Sequence, residues 1–173
     1  LMAGVPLLSI ENLSISLPTA DGGRALAVRG VDIAIGEGEI VGLAGESGSG
    51  KTLSALAALG LLPSGATTGG RVVFDGRELM GEGGRGAAAV RGRDLAMVFQ
   101  DPMTALHPML SVGRQMTEHL VQHRRIGRAE ADRIAIAMLD RVRIPNPKAA
   151  MAGFPHQLSD GMRQRIAIAS ALA

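Results

Sequence analysis

The 173-residue chain contains no cysteine, no tryptophan and no tyrosine, and only three phenylalanines. Without cysteine it can form neither a disulfide framework nor a thiolate metal site, which fits a reducing cytoplasm. No apolar run approaches the ~18 residues that a bilayer span needs. The richest stretch, Leu53 to Leu62, is interrupted by Ser54 and Gly60. No basic segment followed by an apolar core opens the sequence, so no secretion signal is expected. Lysine is nearly as scarce as the aromatics: of eighteen basic residues only Lys51 and Lys148 are lysine, the rest being arginine. The formal net charge is only +2, so nucleic acid is not expected as a partner. With 46% hydrophobic and 20% charged residues the composition is that of a folded globular protein.

Patterning along the chain alternates strand and helix signals. Leu7 to Leu17 and Val31 to Ile35 partly alternate apolar and polar residues, as half-buried strands do. Ile40-Val41-Gly42-Leu43-Ala44 and Leu95-Ala96-Met97-Val98-Phe99 are short apolar runs that predict buried strands. Arg71 to Phe74 predicts another strand, closed by the turn Asp75-Gly76. Leu53 to Leu59 has helical spacing and is ended by Pro63 and Gly65. Gly81 to Ala89 is Gly/Ala-rich and reads as a mobile connector. Beyond Gln100 the pattern turns helical: Val112 to Arg125, Ala129 to Val142, and a last helix from near Ser159 to the chain end.

Between the run at 40–44 and the helix that follows lies Gly45-Glu46-Ser47-Gly48-Ser49-Gly50-Lys51-Thr52. Strand, glycine-rich loop and helix is the context of a phosphate-binding loop. Glycines allow the positive-φ turns that aim backbone N–H groups at an anion. The helix start adds unsatisfied N–H groups and partial positive charge. Lys51 is placed to reach the β- and γ-phosphates, and the Thr52 hydroxyl to meet Mg²⁺. A chain that uses arginine almost everywhere uses lysine here, where a compact ammonium fits and a planar guanidinium is too bulky.

Two further segments narrow the class. Val98-Phe99-Gln100-Asp101-Pro102 and Leu158-Ser159-Asp160-Gly161-Met162-Arg163-Gln164-Arg165 resemble the Q-loop and signature motif of ATP-binding cassette (ABC) ATPases, in that family's order after the phosphate loop. Gln100 to Pro108 and Phe154 to Ser159 resemble the ATPase subunits of bacterial peptide and nickel importers. Taken alone, Gln100 is a solvated amide opening a proline turn, although an amide there can accept from water and donate to phosphate. The resemblance implies more: Gln100 would contact Mg²⁺ and the attacking water and act catalytically. Ser159 and Gly161 would offer a hydroxyl and an N–H to the γ-phosphate of ATP held by a second ATPase subunit, identical or not. Ser159 also fits a plain helix N-cap, and both roles are compatible. Arg163 and Arg165 are expected to be solvated or interface charges.

The implied fold is α/β, a P-loop NTPase of the ABC type with an antiparallel β subdomain and a helical subdomain. Residues 1–100 would form the nucleotide-binding core with its β subdomain, 101–165 the helical subdomain, and 166–173 the start of a return to the core. The family's apolar strand ending in Asp-Glu, and its switch histidine, would follow the signature. The domain is therefore expected to be incomplete at the C-terminus, and residues 1–173 alone not to be hydrolytically competent. Ile134 to Asp140 superficially looks like such a strand, but its spacing is helical. The implied function is that of the ATP-hydrolysing subunit of a bacterial importer. It would be docked on permease subunits at the cytoplasmic face of the inner membrane, with ATP and Mg²⁺ as cofactors. A non-transport ABC ATPase and a degenerate nucleotide-binding regulatory subunit are the alternatives. The second is suggested by the missing acids and by Asp160, which stands where the signature usually has glycine and would repel a triphosphate unless it meets a cation.

Members of this family usually stack adenine on an aromatic residue upstream of the phosphate loop. Here Phe74, Phe99 and Phe154 all lie downstream of it, leaving aliphatic residues such as Leu17 or Val28 as poor substitutes. Equilibrium titration with ATP and GTP is expected to give dissociation constants within about threefold of each other, since no stacking partner separates the bases; a large preference for either would contradict the reading.

Overall fold

The computed structural model of the chain describes residues 5–80, 85–101 and 105–173. It divides into two compact units, Leu1–Arg91 and Gly92–Ala173, each considered by itself. The first contains β1 (Leu8–Pro18), β2 (Arg24–Ile35), helix α1 (Lys51–Ala58), β3 (Thr67–Phe74), the short β4 (Arg77–Glu78) and helix α2 (Arg85–Val90). The strands form one antiparallel sheet in the order β2-β1-β3-β4.

The inward face of β1 carries Ile10, Leu13 and Ile15, all buried. Ile10 and Leu13 are three apart, so a regular strand would turn them to opposite faces. The irregularity between them, with Asn12 at φ 47°, resets the alternation. Opposite it, Gly70 has φ 89°, and a Cβ there would stand 2.3 Å from the Asn12 carbonyl oxygen. Only glycine lets the two backbones pass so closely. Asp32 fixes the bulge from the other side, its carboxylate accepting from the Asn12 N–H at 2.7 Å.

Two expected strands are not observed as strands. Residues 40–44 and 95–99 have no ladder of their own, and Ile40 is 99% exposed, with Val41, Leu43, Val98 and Phe99 also exposed. Their apolar composition is right for a buried strand, but no strand among the described residues pairs along them. Of the expected connector, residues 81–84 lie outside the described residues, and 85–89 belong to α2 instead. Ala87 and Val90 of that helix are buried, so Ala87 serves packing.

The second unit is helical: α3 (Val112–Arg124), α4 (Arg128–Arg141), α5 (Pro147–Ala152), a 3₁₀ turn (Pro155–Gln157) and α6 (Asp160–Leu172). Val112, Met116 and Leu120 on α3, and Ala131, Ala135 and Leu139 on α4, recur every fourth residue and are all fully buried. Leu106, Ile144, Ile166 and Ala169 complete the core around most of them. The segment 134–140 is helical, as its spacing predicts. Pro147 opens the next helix. It occupies the first turn of α5, where its missing N–H costs nothing.

His119 on α3 sits beside this core. Burial chiefly, then the charges of His123 and Arg124, hold its imidazole below its ordinary pKa of 6.5. The Gln115 carbonyl opposes this through a hydrogen bond, and the His119 Nε2 has no protein partner. The folded chain therefore resists a proton that the unfolded chain accepts, so stability is full above pH 6.5 and falls as pH drops through that value. Thermal unfolding followed by helicity should show a lower midpoint at pH 5.5 than at pH 7.5, and His119→Gln should flatten that difference.

Candidate nucleotide-binding site

The glycine-rich loop begins where the apolar run 40–44 ends and passes into α1 at Gly50. Gly48 and Gly50 adopt φ of 82° and 87°, the left-handed region that side-chain-bearing residues avoid. Gly50 is the helix N-cap, and no side chain caps α1. The N–H groups of its first turn thus have no partner within the helix. A Cβ at Gly50 would stand 2.6 Å from Val28 Cγ2 and 3.1 Å from the Ala27 carbonyl oxygen, so β2 abuts the loop directly. Val28 is consumed by that contact and buried; it is not free to face a base.

Lys51 folds back across the loop. Its ammonium donates to the carbonyls of Gly45 at 2.8 Å and Glu46 at 2.6 Å, and to Ser49 Oγ at 3.2 Å. The Ser49 N–H donates to the Glu46 carbonyl, closing the turn through Ser47 and Gly48. The Ser54 hydroxyl and N–H both reach the Gly50 carbonyl, fixing the first turn of α1. Glu46, Ser47 and Thr52 are exposed. A compact cation, a helix start without a side-chain cap and an accessible hydroxyl form a donor set suited to a triphosphate with its Mg²⁺. Among the described residues no cluster of three or more His, Cys, Asp or Glu could hold a metal by itself. A divalent ion here would thus need phosphate oxygens as well as Thr52.

Gln100, Ser159 and Gly161 belong to the second unit. Gln100 lies in an exposed bend after the 95–99 run; Pro102, Met103 and Thr104 lie outside the described residues. Ser159 is the N-cap of α6, its Oγ accepting from the Met162 N–H at 3.3 Å. Gly161, in the first turn, is exposed with open space where a Cβ would stand. The expectation for the two arginines needs correction. Arg163 is largely covered and pairs with Asp160, Nη2 to Oδ1 at 2.5 Å. Arg165 donates to the Gly161 carbonyl at 3.2 Å and the Arg143 carbonyl at 2.8 Å, tying α6 to the end of α4. The spacing of Asp160 and Arg163, three apart on a helix, is the signal by which sequence could have found the first pair.

This loop, with the sheet and helices around it, defines the P-loop NTPase class with an ABC-type nucleotide-binding fold. The family description "ABC transporter" matches residues 28–173, and the chain belongs to that family. Among curated relatives, the Dipeptide transport ATP-binding protein DppD of Bacillus subtilis is 43% identical over 168 residues, covering 96% of this chain and 50% of the relative. The Oligopeptide transport ATP-binding protein OppD of Escherichia coli is 40% identical over 166 residues, covering 96% of this chain and 49% of the relative. The chain thus spans about half the length of these relatives. A solved post-hydrolysis dimer of the ATP-binding cassette MJ0796, bound to ADP and Pi, superposes with a TM-score of 0.81 at 25% identity, over 96% of this chain and 69% of that one.

Gly50 is constrained twice, by φ and by Val28 Cγ2. Gly50→Ala is expected to destabilise the protein by about 1–3 kcal/mol in urea unfolding. Adding Val28→Ala should recover part of that loss; a neutral Gly50→Ala would show that the contact does not constrain the loop.

Proposed function

We propose that this chain carries the nucleotide-binding part of the ATP-hydrolysing subunit of a bacterial ABC importer for peptides. The observation that carries the reading is the loop Gly45 to Thr52, with Gly48 and Gly50 at positive φ and the Lys51 ammonium across it at the start of α1. The peptide assignment is supported by the relatives, whose names specify dipeptide and oligopeptide transport. Residues 1–100 would serve as nucleotide core with β subdomain, 101–165 as helical subdomain, and 166–173 as the start of the return to the core.

In this reading the loop amides of Gly45 to Thr52 cradle the β- and γ-phosphates, and Lys51 leaves its carbonyl partners for the phosphate oxygens. Thr52 and Gln100 would be the residues to hold Mg²⁺, which would supply charge neutralisation for the transferred phosphoryl group. Gln100 orients the attacking water. Ser159 and Gly161 address the γ-phosphate bound by a second ATPase subunit, so that ATP is enclosed at a dimer interface. Permease subunits receive the resulting motion at the cytoplasmic face of the inner membrane. No helix among the described residues is long and apolar enough to cross a membrane, so membrane attachment through such partners fits the chain. The regulatory alternative draws on Asp160 and on the missing family acids, and the Arg163 cation beside that carboxylate bears only on the first.

The test is nucleotide binding and turnover in the complete subunit. Lys51→Ala should weaken ATP binding by about 10- to 100-fold, the range expected for a lost charge-assisted contact to phosphate, with the thermal midpoint nearly unchanged. Gln100→Ala should leave ATP binding within about threefold of the parent and abolish most turnover. Unaltered affinity in Lys51→Ala would overturn the assignment of the loop.

A further inference from the structure

Asp160 is 77% exposed in the first turn of α6, one residue after Ser159 and one before Gly161. Between exposed partners a pair of this kind contributes little. This one is asymmetric, because the Arg163 side chain is only 15% exposed. Its guanidinium reaches Asp160 Oδ1 through Nη2, while its Nε is buried without a protein partner. Among the described residues, the hydrogen-bond partner of this largely covered guanidinium is the Asp160 carboxylate. The backbone around the pair is set independently. Ser159 Oγ caps the Met162 N–H, and Arg165 anchors the Gly161 carbonyl.

We infer that Arg163 is a positioning residue for the Ser159–Gly161 anion site, cancelling the charge of Asp160 so that the site can accept a triphosphate. The inference rests on the proposed role of Ser159 and Gly161 and goes beyond it. It assigns to a single side chain the task of making an acidic signature usable. With Arg163 in place, the first turn of α6 presents a neutral pair beside its N–H groups. Without it, a bare carboxylate stands next to the position an incoming phosphate must take, and repulsion in a partly dehydrated interface is strong. Glycine at 160 would need no such partner, so the requirement for Arg163 should exist only while Asp160 is present.

This dependence can be measured in the complete subunit as a double-substitution cycle, using a non-hydrolysable ATP analogue and sedimentation to obtain the dimer dissociation constant. Arg163→Met in the Asp160 background should weaken analogue-driven dimerisation by about tenfold. In the Asp160→Gly background the same change should cost less than about threefold. Arg163→Lys, which keeps the charge, should recover most of the loss. It also serves as the comparison if the methionine variant fails to fold, in which case Lys should cost more beside Asp160 than beside Gly. A purely structural role would move the thermal midpoint equally in both backgrounds and leave the two dimerisation costs equal, and that result overturns the inference. If neither the parent nor Asp160→Gly dimerises with the analogue, the sandwich reading itself fails instead.

Discussion

The contact between β2 and Gly50 is the constraint on which the first unit's chemistry depends. Val28 and Ala27 come so close to the helix start that no Cβ fits, and the same residue must hold φ at 87°. Those two demands together fix where α1 begins. They also fix which way its first N–H groups point and how far Lys51 must bend to lie over the loop. The β sheet contributes through the same contact. Its bulge at Asn12 and the close passage at Gly70 set the register that delivers Val28 to the loop. The phosphate chemistry proposed for the loop would thus be supported by apolar packing behind it, which lets a glycine-rich segment hold one conformation.

Much of this was legible in the sequence, for identifiable reasons. Regular spacing with local consequences survived: α3, α4 and α6 lie where period and capping residues placed them. Glycine and lysine at fixed intervals announced the loop, because few backbones other than a phosphate cradle need that combination. What failed depended on partners distant in sequence. The runs 40–44 and 95–99 have the composition of buried strands, yet a strand exists only through its ladder, and composition cannot supply the neighbour. Alanines at 87–89 looked like low complexity, but the first of them is buried against the sheet unit as part of α2. Val28 was read as a face for a base, whereas the close approach at Gly50 absorbs it.

The exposed runs carry a physical implication of their own. Ile40, Val41 and Leu43 run directly into the phosphate loop, and Val98 and Phe99 directly into Gln100. The two segments that aim candidate phosphate chemistry thus both carry exposed apolar side chains. A strand-like segment without a ladder holds its following loop less firmly than one locked on both edges. Order in the loop must then come chiefly from its other end, the α1 side, where Gly50, Ser54 and Val28 are packed and hydrogen-bonded.

Arginine usage sharpens the division between structure and chemistry. Arg24 donates to the carbonyls of Ser16 and Gly65 and to Thr67 Oγ1, closing the sheet end of the first hairpin. Arg91 donates to the Leu59 carbonyl behind α1, and Arg165 to two carbonyls across the helical unit. The Leu59 and Arg143 carbonyls lie just past the ends of α1 and α4, where helix carbonyls lack an intrahelical partner and a forked, always-charged donor suits them. Lys51 differs in kind, since its partners are carbonyls of the loop it must serve. A point charge on a flexible stem can exchange those acceptors for phosphate oxygens without a planar group having to reorient. In a chain that solves its structural problems with guanidinium, the proposed exchange would account for an ammonium at residue 51.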